Sequence, residues 1–309
     1  MAPAADARDW SFGGTWPYQP KWLHTDGVRI HYVDEGPRDG EPVVMLHGHP
    51  AWSYVYRHFI QGLADAGFRA IAHDQIGFGR SDKPERIEDY TIQRNVEHLA
   101  ALIDELALDG VTLVLHDFGG PLGLAWAVEN PERVERLVIL NTFTGSIPPE
   151  ADPTALRWIK LMGAPALGDL LVKGARLPVR MFLLRMGIAH RERIGEDERS
   201  AYLAPHPTWG SRAGLLAYPR LWPFEESSPT WALSRRVEEG LPALAGKPAL
   251  ICRGLKDPGY QAGLLTLGEE RFPGAEVHDF EDASHFVQED AHERIVPLVI
   301  DFLRRTRSS

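Results

Sequence analysis

Cysteine is nearly absent from this chain. Cys252 is the only one in 309 residues, so no disulfide can form within it. Its place at the end of the apolar run Pro248–Cys252 suits a small core residue rather than a reactive thiol. Positive charge is also in deficit, with 33 Lys and Arg against 43 Asp and Glu, a formal charge of −10. A surface of that sign repels nucleic acid and anionic lipid, so neither is a natural partner. No apolar run reaches the length of a membrane span. Residues 1–10 carry acids where a secretory leader would have a long apolar centre. Zinc-ligand spacings and phosphate-binding glycine loops are lacking, and the expectation is a protein with no metal and no cofactor. Repeats and low-complexity tracts are lacking too. With none of these features, the expectation is a cytoplasmic protein, a monomer or homodimer.

What is present supports a large core. Hydrophobic residues make up 44% and charged residues 25%, near the globular average. Short apolar runs alternate with helical patterns. Arg29–Val33, Pro42–Leu46, Arg69–Ala72, Val111–Leu115, Arg136–Leu140, Pro248–Cys252 and Glu276–Phe280 read as strands. Arg94–Leu106 places Val96, Leu99, Leu102, Ile103 and Leu106 on one helical face, and Ala291–Leu303 reads as a closing amphipathic helix. Strands alternating with helices predict a mostly parallel sheet covered on both faces. The alternation fails between about Gly145 and Pro229, where helical patterns and prolines occur without a convincing strand. The expected organisation is therefore a core of residues 1–144 and 230–309. A helical cap, 145–229, is inserted after the Arg136–Leu140 strand, taken as the sixth of the sheet.

One segment stands out chemically. The strand Val111–Leu115 runs into His116-Asp-Phe-Gly-Gly120, and a helix begins at Pro121. A strand, a sharp turn and a helix form the setting of a nucleophile elbow, and the paired glycines suit the tight turn. Asp117 occupies the position usually held by serine. Taken alone, Asp117 is equally a helix cap. Three further segments favour the catalytic reading. Leu46-His-Gly-His-Pro50 follows an early strand, where the backbone N–H of His49 and that of Phe118 would form an oxyanion hole. His47 would brace that loop. Asp257 follows the strand Pro248–Cys252, and His285 lies in a small-residue loop after Glu276–Phe280. The chain order of elbow, acid and histidine makes Asp117 the nucleophile, His285 the base and Asp257 its orienting acid. A carboxylate nucleophile can displace a leaving group from saturated carbon, giving an ester that a histidine-activated water then hydrolyses.

Six segments together resemble the haloalkane dehalogenase family of α/β hydrolases: His47–Tyr54, Asp74–Pro84, His116–Gly120, Leu140–Thr142, Gly254–Asp257 and Ala283–Glu289. The resemblance spans nearly the whole chain and implies the α/β-hydrolase fold and displacement of halide from an alkyl carbon. It also implies the acid at Asp257, with Asn141 standing where another subgroup places that acid. Two positions depart from the family. Phe118 replaces a tryptophan whose indole N–H binds the halide, and His49 replaces an asparagine that supplies a second donor. The resemblance points to Trp158 as a cap halide donor, an ordinary cap aromatic being the competing reading. Trp52 reads as structural and Trp209 as packing. The cap stretch Gly163–Gly174 is similar to the β-lactone decarboxylases, whose leaving group is a ring carboxylate. Epoxide hydrolases share the machinery and use cap tyrosines, for which Tyr202 and Tyr218 are the candidates. A catalytically silent, ligand-binding member of the fold would show a broken triad, and here all three positions are filled.

Overall fold

A computed structural model describes residues 8–265 and 267–307. The leader reading of residues 1–10 lies outside these for its first seven positions. Eight strands form one sheet: β1 Lys21–Thr25, β2 Val28–Glu35, β3 Pro42–Leu46, β4 Arg69–His73, β5 Val111–Asp117, β6 Val134–Thr142, β7 Ala249–Gly254 and β8 Glu276–Phe280. Their order is β1-β2-β4-β3-β5-β6-β7-β8. The β1–β2 and β2–β4 pairings are antiparallel, and the remaining five are parallel. Every residue of β5 is buried, as expected for a central parallel strand covered on both faces.

Among the described residues ten α-helices accompany the sheet, besides shorter 3-10 turns and two π-helices at Asp169–Gly174 and Pro178–Met186: α1 Arg57–Asp65, α2 Ile92–Glu105, α3 Gly119–Glu129, α4 Pro153–Gly163, α5 Glu196–Leu203, α6 Ala213–Arg220, α7 Pro229–Gly240, α8 Pro258–Gln261, α9 Val287–Asp290 and α10 His292–Arg305. Helix α2 starts at Thr91, whose Oγ1 accepts from the Arg94 amide at 3.0 Å, and it buries Val96, Leu99, Leu102 and Ile103. That contact satisfies one of the amides left free at a helix start. Helix α3 is buried from Gly119 to Ala127, because it leaves the centre of the sheet directly. Helix α10 buries Ile295, Val299, Phe302 and Leu303. Between Thr142 and Ala249 the described residues contain helices α4 to α7 and no strand. Among the described residues no helix is long and apolar enough to cross a membrane.

The parallel strands bring their carboxyl ends to one edge. The loops after β3, β5, β7 and β8 open there, which places residues 47–50, 117, 257 and 285 near one another. Ligand sites in open α/β sheets form at this edge.

Candidate active site

Asp117 closes β5 with a positive φ of 48°. A non-glycine residue there carries about 1–3 kcal/mol of strain and persists only where its surroundings fix it. The surroundings do so here. The Thr142 hydroxyl donates to the Asp117 carbonyl. A Cβ on Gly119 would lie 2.2 Å from the Leu46 carbonyl oxygen, and one on Gly120 would lie 1.8 Å from Thr142 Oγ1. A Cβ on Gly48 would lie 2.2 Å from that of Asp117. The glycines read from the sequence as turn formers are thus required by close approach.

The two carboxylate oxygens of Asp117 have different partners. Oδ1 accepts from the His49 backbone N–H at 2.6 Å. Oδ2 faces His285 Nε2 at 3.5 Å, too far for a strong hydrogen bond, and Nε2 has no hydrogen-bond partner. On the opposite side of the ring, His285 Nδ1 lies 2.8 Å from Asp257 Oδ2. All three side chains are buried. Burial pushes the Asp117 carboxyl up, but His285 and the Phe118 amide outweigh it and hold the group below its ordinary value. Burial also pushes the His285 imidazole down. Asp257 and Asp117 more than offset this, and the imidazole is raised to about 10. At neutral pH the resting pair is therefore a carboxylate facing an imidazolium.

Asp257 is held by more than the histidine. Asn141 Nδ2 donates to Oδ2 at 2.7 Å, and the Gly259 amide donates to Oδ1 at 2.7 Å. Asn141 Oδ1 in turn accepts from the Gly254 amide at 2.8 Å. Asn141 stands where another subgroup has its acid and, as an amide, cannot act as one. Its place in the structure is to fix the acid that is present. His116, in the elbow segment, supports the base in a similar way. Its Nε2 donates to the His285 carbonyl at 2.9 Å, and burial pushes the imidazole down to about 3, so the ring is neutral.

The expected side-chain donors fare differently. His49 Nε2 lies 3.0 Å from the Leu215 carbonyl oxygen. A carbonyl only accepts, so Nε2 carries the proton. Burial pushes the ring down to about 4, which leaves it neutral and leaves Nδ1 without a hydrogen. The imidazole of His49 therefore has no N–H to offer a leaving group. Phe118, also donorless, packs edge-on against Phe143, Tyr218 and Trp222, with centroids 5.3, 4.9 and 5.9 Å away. Trp158 is a correction. Its side chain is 60% exposed on α4, and an indole turned to solvent cannot serve as a donor inside a closed site. Helix α4 buries none of its residues, so the ring has no core to turn into.

The two cap tyrosines do not converge. Tyr202 donates to Glu289, and Tyr218 donates to the Gln75 side chain while its ring stacks on His49 at 5.4 Å. His47 braces its loop, with Nε2 accepting from the Gln75 amide at 3.0 Å. Trp52 is buried, and its indole donates to the Ala201 carbonyl at 3.0 Å. Trp209 is about half exposed, with Lys173 Nζ 5.0 Å from its ring. A cavity of about 730 Å³ opens elsewhere, between Ser146–Glu150 and Arg235, Arg253 and Arg271. A neighbouring recess of about 10 Å³, room for roughly one water, reaches Asn141 and Thr142. Among the described residues no group of three or more His, Cys, Asp and Glu is placed to hold a metal ion.

Known proteins share this arrangement of chain and fold. A family model described as alpha/beta hydrolase fold matches residues 41–179. A cis-3-alkyl-4-alkyloxetan-2-one decarboxylase of Xanthomonas campestris pv. campestris is 37% identical, across 93% of this chain and 97% of its own. A haloalkane dehalogenase of Mycolicibacterium paratuberculosis is 39% identical, across 86% of this chain and 84% of its own. The crystal structure of the haloalkane dehalogenase DatA from Agrobacterium tumefaciens C58 superposes with a TM-score of 0.81 at 28% identity, covering 94% of this chain and 97% of that one. Relatives this similar along nearly their whole length, on the same sheet and helices, mean that the chain belongs to the haloalkane dehalogenase family of the α/β hydrolases.

Proposed function

We propose that this protein is a haloalkane dehalogenase-type hydrolase that opens carbon–halide bonds with Asp117 as nucleophile. The observation that carries the reading is the division of labour at Asp117. Oδ1 is held by a backbone amide, and Oδ2 is left free opposite a histidine. Oδ2 attacks the alkyl carbon, a carbon–oxygen bond forms, and the halide leaves with the electron pair of the broken bond. The product is an alkyl ester of Asp117, whose carbonyl oxygen is then Oδ1. Esterification removes the negative charge of Asp117, one of the two carboxylates that raise His285. The imidazole then gives up its proton more readily and becomes a competent base. It takes a proton from water, and the water oxygen attacks the ester carbonyl carbon. The charge that develops on Oδ1 meets the His49 and Phe118 amides. Loss of one such donor costs other enzymes about 2.7–4 kcal/mol. Collapse of the intermediate releases the alcohol, which takes its proton back from His285, while Asp257 holds the ring and stabilises its cation. The substrate in this reading is a small apolar organic molecule, in keeping with the packing of Phe118, next to Asp117, against the rings of Phe143 and Tyr218. A single buried free cysteine suits a cytoplasmic location.

Opening of a β-lactone is the second reading, and one observation favours it. Phe118 has no donor, and the N–H of His49 is spent on Leu215, so a departing halide would meet no side-chain N–H at either position. A carboxylate leaving from a strained ring has less need of such a cradle. Bromide release from 1-bromobutane, measured beside turnover of a cis-3,4-dialkyl β-lactone, tests both. Bromide release by the wild type and none by Asp117→Asn supports the first reading. Lactone turnover without bromide release moves the assignment to the second. Bromide release at full rate by Asp117→Asn removes Asp117 from the chemistry.

A further inference from the structure

The residues on either side of His285 are tied to the cap rather than only to the sheet. Ser284 donates through its amide to Asp290 Oδ2 at 2.8 Å and through its hydroxyl to the Met186 carbonyl at 3.0 Å. Phe286 donates through its amide to the Gly187 carbonyl at 2.8 Å. Asp290 also accepts from two cap amides, Ala189 at 3.0 Å and His190 at 2.8 Å. One buried carboxylate thus accepts three backbone N–H groups, one from the loop that carries His285 and two from the cap. Gly187 lies so close to the Phe286 ring that a Cβ there would be 2.7 Å away.

The residue beside Asp290 repeats the pattern. Glu289 is buried and receives Arg57 of α1 through a two-pronged contact of 2.5 and 2.8 Å, and the Tyr202 hydroxyl of α5 also donates to it. The short helix α9, two residues beyond His285, therefore carries two buried carboxylates, each bound to a different part of the cap. A carboxylate is costly to bury without partners, and Asp290 has two of its three amide donors, and Glu289 the Tyr202 hydroxyl, only while the cap segments are seated.

We propose that Asp290, reinforced by Glu289, is a positioning residue that suspends the His285 loop from cap residues 186–190, so that the seated cap sets where the imidazole stands over Asp117. The inference rests on the reading of His285 as base of the ester-hydrolysing half of the reaction. Displacement of the leaving group by Asp117 needs no base, whereas hydrolysis of the ester does. Loosening the latch therefore slows the second half and spares the first, a split that general destabilisation of the fold does not produce.

The test is a rapid-quench single turnover of 1-bromobutane, with bromide release reporting ester formation and intact mass reporting the ester. In Asp290→Asn the ester accumulates. Its hydrolysis slows by about 10-fold or more, in line with the loss expected when a reacting group is misplaced by an ångström or less, while ester formation stays within about 3-fold of wild type. Ser284→Ala, which removes the hydroxyl that lies 3.0 Å from the Met186 carbonyl and 3.3 Å from the Lys256 carbonyl, moves the same way by less and serves where Asp290→Asn does not fold. His285→Phe separates the two layers of the argument. If His285→Phe traps the ester while Asp290→Asn and Ser284→Ala hydrolyse it at the wild-type rate, or slow both steps equally, the latch is overturned and the base assignment stands. If His285→Phe traps no ester, or the wild type forms none, the base assignment is overturned and the latch with it.

Discussion

His49 holds Asp117 with its backbone and turns its side chain away from it. Its N–H lies 2.6 Å from Asp117 Oδ1, while its imidazole Nε2 donates to the Leu215 carbonyl of α6 at 3.0 Å. One residue thus supports the nucleophile and withholds the side-chain donor that family members with asparagine at this position have. Phe118 also lacks a donor, so neither position offers a side-chain N–H to a leaving group.

Restoring one donor should therefore speed halide loss. Phe118→Trp puts an indole N–H next to the nucleophile. A hydrogen bond to a charged group is worth about 1.5–3 kcal/mol, or roughly 10- to 150-fold in rate. The larger ring adds crowding against Phe143 and Tyr218 that costs about 1–3 kcal/mol of stability. The expected result is a rise in kcat/KM for bromide release from 1-bromobutane, with a lowered Tm and no gain toward a β-lactone. Unchanged or slower bromide release in a folded variant contradicts the account of the missing donors.

The two half-reactions should respond differently to pH. Asp117 is held below its ordinary value, so ester formation is flat from about pH 5.5 to 9. His285 must be neutral to activate water, and in the resting protein it is raised to about 10. In the esterified protein one supporting charge is gone, so hydrolysis rises with pH and levels off below that value. Rapid-quench rates of both steps across this range check it, and an acid limb confined to ester formation contradicts it. The same raised value affects stability. His285 goes from an ordinary 6.5 to about 10 on folding, so its stabilising contribution is complete below 6.5 and is lost as pH climbs through about 10.

Acid should destabilise the fold well before the carboxylates titrate. His49 is pushed down to about 4, and His73, His116 and His206 to about 3, each chiefly by burial. Unfolded, all four take up protons near 6.5, so the stability present above that pH falls as pH drops from 6.5 toward 4. Each contributes a slope of up to about 1.4 kcal/mol per pH unit in that window. Urea midpoints at pH 7, 6 and 5 should decline steadily. A constant midpoint from 7 to 5 would mean that these rings are not held neutral in the folded protein.

Much of this architecture was legible in the residue pattern, for reasons that differ by element. Strands β3 and β5 are apolar runs because both their faces are covered, and Pro42–Leu46 and Glu276–Phe280 begin and end in the structure where the pattern places them. Strand β1 has no such pattern. Its residues Lys21–Thr25 bury only Leu23, and an edge strand open to water need not look like a strand. The Asp26–Gly27 pair that turns it into β2, with φ values of 49° and 72°, was the available signal. At the site, the strand–turn–helix setting of Asp117 and the chain order of elbow, acid and histidine bring Asp117, Asp257 and His285 to notice. Asn141 and the His116–His285 contact could not be read from sequence, since each depends on partners more than 100 residues away. Glu289 and its partner Arg57, 232 residues apart, were hidden for the same reason. Trp158 misled because residue type was matched without the direction in which its helix faces.

The most direct measurement is a single turnover of 1-bromobutane in water enriched in oxygen-18, with enzyme in excess. If Asp117 attacks carbon and water attacks the resulting ester carbonyl, the alcohol carries an oxygen from the protein. The predicted result is unlabelled butanol and oxygen-18 in the peptide containing Asp117. Labelled butanol in that first turnover, with no label in the protein, would mean that water attacks the alkyl carbon itself and that Asp117 forms no ester.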